Sequence, residues 1–374
     1  MSVFDIEARL LTEAKSPDTP ENFSRAATRI AEIAIPEARL HFRHYVPKVA
    51  FYLPTPYLFA HAANLATLFR GLDKIGNPID SCVVTHGSAS EEFRAAFSGR
   101  VCEIPAPYTQ AWIATQQLGK AHHWDAFVHV STIQGMAFAS AMRCARKHIW
   151  LSYKWHCEIP GIDGYINGTG SHQPAPWKNV YTALPDLTRP GIAEHAAEIR
   201  KNITAKTIFG TVGREEKITD GFITAVNRIL AEVPDSIFVY TGRKEVPFNN
   251  PKVQWAGWCD PEDTYTLINV LDVYLDTWPF HSGHTAWQAI AAKKPIVMMD
   301  QPDTDTQAWV PLLMKRNSWA PLVAKGIDQY VTIAKHIEWD FTTYISYNHD
   351  FYIEHMRDEA RMAKEFVEAL KGFI

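Results

Sequence analysis

The sequence lacks the features that mark a membrane protein. No stretch approaches about 18 consecutive apolar residues, which is the length that a membrane-spanning helix needs. The first residues, MSVFDIEARLLTEAKS, carry acidic side chains early and have no apolar core of signal length. The sequence therefore predicts a cytoplasmic protein with no integral membrane association.

Cysteine and net charge are also scarce. The five cysteines are odd in number, scattered and without CxxC spacing, so the sequence indicates reduced thiols and neither a disulfide framework nor a zinc site. Lysine and arginine total 37 against 41 aspartate and glutamate residues, a formal net charge of −4. Nucleic acids select strongly basic faces, and this charge balance provides none. We therefore expect no nucleic-acid partner.

Apolar runs alternate with amphipathic stretches along most of the chain. With 374 residues, 47% of them hydrophobic, the chain is long enough for two α/β domains. Strands alternating with helices imply parallel sheets, and the alternation restarts after a loop-rich region at 160–190. We predict an α/β fold of two Rossmann-like domains facing across a cleft. The predicted segments are a short helical N-terminal cap at 1–45, a first Rossmann-like domain at 46–190, a second Rossmann-like domain at 191–348 and a C-terminal bracing helix at 349–374.

The segment from Leu271 to Met299 carries the clearest functional pattern. It reads LDVYLDTWPFHSGHTAWQAIAAKKPIVMM, which predicts a strand, a loop, a helix and another strand. Ligands of open α/β sheets bind where loops leave the carboxyl ends of strands, and a helix N-terminus there offers free N–H groups to an anion. The small polar cluster at the predicted helix start comprises Ser282, Gly283, His284 and Thr285. It favours a diphosphate ligand, and the alternative is an ordinary βαβ crossover.

The same segment resembles nucleotide-sugar-dependent glycosyltransferases of the GT-B type. Within that class it is most similar to the O-GlcNAc transferase group and its bacterial protein N-glycosyltransferase relatives, but the tetratricopeptide array of the animal enzymes is absent. The resemblance rests on Asp276, Thr277, Pro279 and the Gly283-His284-Thr285 run. It implies a UDP-sugar donor whose diphosphate sits at this loop.

Cationic and polar residues complete the donor site that the resemblance implies. Lys217 fits a Phe-x-x-x-x-Lys-Ile motif whose lysine contacts the donor phosphates, and a cation there would stabilise the departing diphosphate. A solvated helix start is the alternative for Lys217. Arg214 is its obvious substitute, and Arg243 is a candidate for the phosphate or the base, with an exposed turn arginine as the alternative. Gln288 occupies the place where many GT-B enzymes carry a ribose-binding carboxylate.

Five residues of the first half are candidates for the acceptor side. The segment HIWLSYKWHCEIPGIDGYINGTG resembles the part of the family that lines the acceptor side of the cleft, and it supplies Asp163 and Tyr165. Pro56 belongs to the loop after the first strand. His61 and His156 are candidate catalytic bases, because attack by a hydroxyl needs a proton acceptor with a pKa near the working pH. Each histidine has an ordinary structural role as its alternative.

The resemblance implies that the domain at 46–190 forms the acceptor side and that the domain at 191–348 binds the nucleotide sugar. With these residues it implies an inverting, metal-independent glycosyltransferase that moves a sugar from a nucleotide-sugar donor, UDP-linked, to a protein or glycan acceptor. No cofactor is expected, because the donor is a substrate. The sequence Asp303-Thr304-Asp305 matches an Asp-x-Asp metal motif but lies beyond the helix that is predicted to follow the Ser282–Thr285 cluster. The alternatives are a nucleotide-sugar epimerase or sugar phosphorylase of the same fold, and a non-catalytic member that binds a nucleotide sugar or glycan.

Overall fold

The computed structural model divides the chain into two compact units. The first contains Met1–Pro185 and Asp358–Ile374, and the second contains Asp186–Arg357. The structure describes residues 46–130, 143–153, 156–169, 172–184, 191–259, 261–300, 322–337, 349–350, 352–354 and 356–374. The predicted N-terminal cap lies outside these residues, and the predicted domain boundaries remain predictions.

The first unit is built on a seven-stranded parallel sheet. Its elements are β1 (Lys48–Tyr52), α1 (Ala60–Lys74), β2 (Asp80–His86), α2 (Glu91–Ala96), β3 (Val101–Ile104), α3 (Tyr108–His122), β4 (Trp124–His129), β5 (Ala145–Ser152), β6 (Gly164–Asn167) and β7 (Trp177–Asn179). The strand order is β3-β2-β1-β4-β5-β6-β7, and every neighbouring pair is parallel. This order is typical of a doubly wound Rossmann-like sheet.

Both faces of this sheet are buried, which explains why its strands read as nearly continuous apolar runs. In β1, Val49 and Phe51 face the core that contains α1, whereas Ala50 and Tyr52 face the core that contains Ala111 of α3. Adjacent strand residues point to opposite faces. The run KVAFY therefore needs apolar side chains at successive positions.

The last helix of the chain, α9 (Glu359–Lys371), packs on α1. Gly71 makes the close approach possible, because a Cβ there would lie 2.1 Å from the carbonyl oxygen of Glu359. The buried Glu359 carboxylate binds Arg70 at 2.8 Å and Lys74 at 2.7 Å. The C-terminal helix is therefore an integral part of the first unit.

The second unit has a six-stranded parallel sheet of order β10-β9-β8-β11-β12-β13. Its elements are α4 (Ile192–Lys201), β8 (Thr207–Thr211), a 3₁₀ turn (Glu215–Lys217), α5 (Asp220–Glu232), β9 (Ser236–Tyr240), β10 (Val253–Trp255), α6 (Pro261–Val270), β11 (Val273–Leu275), α7 (His284–Ala291), β12 (Ile296–Met299), β13 (Val323–Ala324) and α8 (Ile327–His336).

Local sequence sets the start of α5. The Thr219 hydroxyl caps the helix by accepting a hydrogen bond from the N–H of Phe222 at 3.4 Å. Phe222, Val226 and Ile229 then recur at helical spacing and pack into the core of the second unit. The cap fixes where the loop that contains Lys217 ends.

The main departure from the predicted elements lies in the region at 160–190. Sequence reasoning predicts loops there, whereas the structure contains β6 and β7, which extend the sheet beyond β5. These strands have only four and three residues and lie between glycines and prolines. Among the described residues, no helix combines the length and hydropathy required to cross a membrane.

Candidate functional site

Two neighbouring strands of the second sheet deliver the predicted donor residues. β8 and β11 are paired and parallel, so their carboxyl ends meet at one edge of the sheet. The strand that follows β8 lies on one side of this pair, and the strand that follows β11 lies on the other. The sheet order therefore reverses between β8 and β11. Ligands of open α/β sheets bind at such a switch point.

The loop from 276 to 283 is organised by the hydroxyl of Tyr274. This hydroxyl lies 2.9 Å from Ser282 Oγ, 3.0 Å from Thr285 Oγ1 and 3.2 Å from the carbonyl oxygen of Val212. Burial, with the nearby Asp276 charge as a smaller cause, raises the pKa of Tyr274, so the phenol stays protonated. Tyr274 thus ties the loop after β8 to the loop after β11. Sequence reasoning missed it.

The buried carboxylate of Asp276 binds the same loop. Asp276 Oδ1 accepts a hydrogen bond from the N–H of Ser282 at 2.7 Å, and Oδ2 lies 2.5 Å from His281 Nδ1. The carbonyl oxygen of Asp276 accepts a hydrogen bond from the Tyr330 hydroxyl at 2.9 Å. Both Asp276 and His281 are fully buried. In the sequence, Asp276 is only a residue of the motif. The structure shows that it also binds the backbone of Ser282 and the ring of His281.

Lys217 reaches this loop from the other strand. It ends the 3₁₀ turn after β8, and its ammonium group donates a hydrogen bond to the carbonyl oxygen of His281 at 2.8 Å. The Thr219 hydroxyl donates to the carbonyl oxygen of Trp278 at 3.0 Å. Lys217 therefore lies beside the loop that leads into α7, and its predicted role in donor binding remains a prediction.

Of the side chains that the structure describes, none caps the N-terminus of α7. Gly283 is the N-cap residue and His284 the first helical residue, so the first backbone N–H groups have no intrahelical partner. Desolvation lowers the pKa of His284 to about 4, which keeps its ring neutral near pH 7. The Gln288 side chain is buried, and its Oε1 has no hydrogen-bond partner among the described residues.

The two candidate arginines of the second unit are exposed and engaged elsewhere. Arg214 Nε lies 3.9 Å from Glu216 Oε2, and both side chains are solvent-exposed. The Arg243 guanidinium lies 4.7 Å from the ring centroid of Trp258, itself 51% exposed, while its backbone N–H donates to Glu215 Oε2 at 2.9 Å. Neither guanidinium has a described contact with the Tyr274–Asp276 network. Their donor-binding roles remain predictions.

In the first unit, His61 lies in a row of aromatic rings. It is the second residue of α1, and its ring centroid lies 5.5 Å from that of Phe59 and 5.7 Å from that of Tyr153. Phe59 in turn contacts the exposed ring of Tyr57 at 5.9 Å. Pro56, in the same loop, uses its carbonyl oxygen to accept the N–H of Ser90 at 3.3 Å.

His156 is held by an amide network at the end of β6. Its Nε2 lies 2.8 Å from Asn167 Oδ1, and the amide nitrogen of Asn167 donates to Asn179 Oδ1 at 2.8 Å. Because Asn167 Oδ1 can only accept, His156 Nε2 carries the proton in this bond. The basic nitrogen of the neutral ring is then Nδ1. Its ring also packs edge-on against Trp177 at 4.7 Å.

The other two acceptor-side candidates form local structural contacts. Asp163 Oδ2 accepts a hydrogen bond from the N–H of His148 at 2.8 Å and so fastens its loop to β5. The Tyr165 hydroxyl accepts from the N–H of Ile159 at 2.7 Å and donates to the carbonyl oxygen of the same residue at 3.0 Å. Burial raises the pKa of Tyr165 to about 12. These contacts favour positioning of the loop, and the acceptor-side roles remain predictions.

No group of three or more His, Cys, Asp or Glu side chains in the described part of the chain is arranged to hold a metal ion. Asp303 and Asp305 lie outside the described residues. The metal-independent mechanism therefore stays a prediction.

Comparison with known proteins yields similarity in structure but not in sequence. No family model matches the chain, and no curated protein matches it. A Thermobaculum terrenum O-GlcNAc transferase mutant is 14% identical, with a TM-score of 0.68 over 95% of this chain and 74% of that one. Anabaena HepE in complex with UDP and glucose is 11% identical, with a TM-score of 0.63 over 87% and 100%. A putative UDP-N-acetylglucosamine 2-epimerase from Listeria monocytogenes is 14% identical, with a TM-score of 0.53 over 88% and 96%.

Identities this low show the fold alone. The two parallel sheets of seven and six strands, each with the strand order of a Rossmann-like domain, agree with these neighbours. The α/β fold class predicted from sequence is confirmed, and the chain has the two-domain fold of GT-B glycosyltransferases.

Proposed function

We propose that the chain is an inverting glycosyltransferase that moves a sugar from a UDP-sugar to a protein or glycan acceptor without a metal ion. The observation that carries the proposal is the position of Lys217. Its ammonium group is bound to the loop that leads into α7, at the switch point of the second sheet. A cation and a helix N-terminus at one place suit a diphosphate. UDP is favoured because HepE, a structural neighbour, binds UDP and glucose.

In this mechanism the acceptor nucleophile attacks the anomeric carbon from the face opposite the UDP. The bond between that carbon and the β-phosphate oxygen breaks, and the charge on UDP increases. Lys217, the neutral His284 ring and the first N–H groups of α7 stabilise that charge. The acceptor proton passes to a base, for which His61 and His156 are the candidates of the first unit. The His156 ring is held in place by its Nε2 contact with the Asn167 amide.

The first test is the product of the reaction. Purified protein is incubated with labelled nucleotide sugars and cell lysate, and the label is followed into protein, lipid and polysaccharide fractions. A transferase labels one of these fractions and releases UDP. Epimerised nucleotide sugar without an acceptor product would indicate an epimerase, the activity named for the putative Listeria enzyme. Binding without turnover would indicate a non-catalytic member, and loss of activity in EDTA with rescue by manganese would refute the metal-free mechanism.

The second test is Lys217→Ala, with Lys206→Ala as its matched control. Lys206 is exposed and immediately precedes the opposite end of the same strand, β8, so its removal deletes the same charge away from the loop. We expect Lys217→Ala to lower kcat about a hundredfold, which is typical of losing one group that stabilises transition-state charge. Lys206→Ala should leave kcat unchanged. A wild-type kcat in a folded Lys217→Ala protein would remove Lys217 from the mechanism.

A further inference from the structure

One planar peptide group connects the buried Asp276 carboxylate to Lys217. The peptide bond between His281 and Ser282 presents the N–H of Ser282 on one side and the carbonyl oxygen of His281 on the other. The N–H donates to Asp276 Oδ1 at 2.7 Å, and the carbonyl oxygen accepts from the Lys217 ammonium at 2.8 Å. Because the peptide group is rigid, anchoring one side fixes the direction of the other.

The imidazole of His281 adds a second anchor to the same residue. Its Nδ1 lies 2.5 Å from Asp276 Oδ2, and neither side chain has exposed surface. An ionised carboxylate can only accept hydrogen bonds, so Nδ1 carries the proton. Asp276 thereby holds the backbone and the side chain of one loop segment at once. Burial raises the pKa values of Tyr274 and Tyr330, and the negative charge of Asp276 raises them further.

The second ring nitrogen of His281, Nε2, makes no hydrogen bond to the described residues that would position the loop. Nε2 is buried and has no hydrogen-bond partner among the described residues. The bonded nitrogen, Nδ1, is therefore the part of the ring with a structural consequence for the loop.

We propose that Asp276 and His281 are positioning residues, which fix the peptide group between His281 and Ser282 so that its carbonyl oxygen holds the Lys217 ammonium for the donor diphosphate. The inference rests on the proposed function for its ligand. It assigns to His281 and Asp276 an effect on the donor that is exerted through Lys217 and without direct contact.

Three substitutions at His281 separate its two ring nitrogens. His281→Asn places an N–H close to the position of Nδ1, His281→Gln places one close to the position of Nε2, and His281→Leu removes both. We expect UDP affinity, measured by calorimetry, to fall about tenfold in His281→Leu and His281→Gln. His281→Asn should stay within about threefold of the wild type. Rescue by glutamine and not by asparagine would overturn the proposal, as would wild-type affinity in all three variants.

A double-mutant cycle with Lys217→Ala tests whether the effect passes through the lysine. Once Lys217 is removed, His281→Leu should cause little further loss of UDP affinity, because the carbonyl oxygen no longer has an ammonium group to hold. Multiplicative losses, as for independent sites, would overturn the proposal. Melting temperatures of all variants identify any that fail to fold. If His281→Leu does not fold, the cycle is made with His281→Gln.

A ligand-free measurement separates failure of this inference from failure of the proposed function. Wild-type protein that binds no UDP would refute the proposed donor, but it would leave the Asp276–His281 contact open to test. ¹⁵N NMR of the imidazole, assigned by the signal lost in His281→Asn, should show the proton on Nδ1. In Asp276→Asn the new amide donates to Nδ1, so the proton should move to Nε2. A proton on Nε2 in the wild type would overturn the proposal whatever the ligand.

Discussion

Replacing Tyr274 by phenylalanine should lower both the stability of the second unit and its affinity for UDP. The substitution keeps the ring in the core and removes only the hydroxyl that Ser282 and Thr285 contact at 2.9 and 3.0 Å. Ser282 is buried, so losing this partner leaves a polar atom short of a hydrogen bond. Such a loss costs about 1–3 kcal/mol of unfolding free energy. We expect about 2 kcal/mol, or a fall in Tm of about 4–8 °C for a unit of this size.

The same change should lower UDP affinity about tenfold, which corresponds to about 1.4 kcal/mol. The reason is that Ser282 and Thr285 lose the group that orients both hydroxyls at the start of α7. Chemical denaturation measures the stability, and calorimetry with UDP measures the affinity. Both measurements use the full chain.

Tyr240→Phe is the matched control. Tyr240 is also buried in the second unit, and its hydroxyl accepts the N–H of Val246 at 2.8 Å and donates to the Val246 carbonyl oxygen at 3.2 Å. The control should lose a similar amount of stability and keep wild-type UDP affinity. Equal UDP affinity in Tyr274→Phe and the wild type would refute the reasoning, and so would an equal loss of UDP affinity in Tyr274→Phe and Tyr240→Phe.

Three further predictions concern the first unit. Burial lowers the pKa of His129 to about 3, so between about pH 6.5 and 3 the unfolded chain binds more protons than the folded chain. The unfolding free energy should therefore fall by a few kcal/mol as the pH drops through that window. His129→Phe should make this pH dependence less steep in denaturation curves. Gly71→Ala should lower the unfolding free energy by about 1–3 kcal/mol, because its Cβ would meet the Glu359 carbonyl oxygen at 2.1 Å, and limited proteolysis should then release the C-terminal helix. If His61 or His156 is the base, its alanine variant should remove the acidic limb of the kcat/KM profile and keep UDP affinity.

Controls for these variants come from the same chain. His195 is exposed, so His195→Gln should leave the unfolding free energy close to the wild-type value. A Cβ on Gly326 would meet no atom within 4 Å, so Gly326→Ala should have little effect. A wild-type slope in His129→Phe, or wild-type stability in Gly71→Ala, would contradict the packing argument. Wild-type pH profiles in both histidine variants would remove both candidates for the base.

Strands and helices with a strong apolar pattern were predictable from the sequence. The sequence predicts a strand over Lys48–Leu53 and a helix over Asp220–Val233, and β1 and α5 end within one residue of these bounds. In contrast, β6 and β7 have too few residues for an alternation to be recognised. Their stability depends on pairing with β5 and with each other, and a single segment does not reveal that pairing.

The candidate site divides in the same way. Motif spacing made Lys217 and the 282–285 cluster candidates, because each of them follows a predicted strand. The contacts of Tyr274 and His281 join segments that are more than 50 residues apart in the sequence, as in the hydrogen bonds from Tyr274 to Val212 and from Lys217 to His281. The one signal that could have identified Tyr274 is a tyrosine within a buried strand, two residues before an aspartate, since a buried phenol needs a polar partner.

The structure also ranks the cations that the sequence proposed for the donor. Lys217 is half-buried and already bound to the His281 carbonyl oxygen, so folding has ordered its side chain before any donor arrives. Arg214 and Arg243 are exposed, and immobilising such a side chain on binding costs about 0.5–1.5 kcal/mol. Water and salt also screen their charges more strongly. An ordered cation in a partly desolvated loop is the better partner for a charge that develops during reaction. Lys217 should therefore dominate turnover, and the arginines should contribute mainly to the salt dependence of donor association.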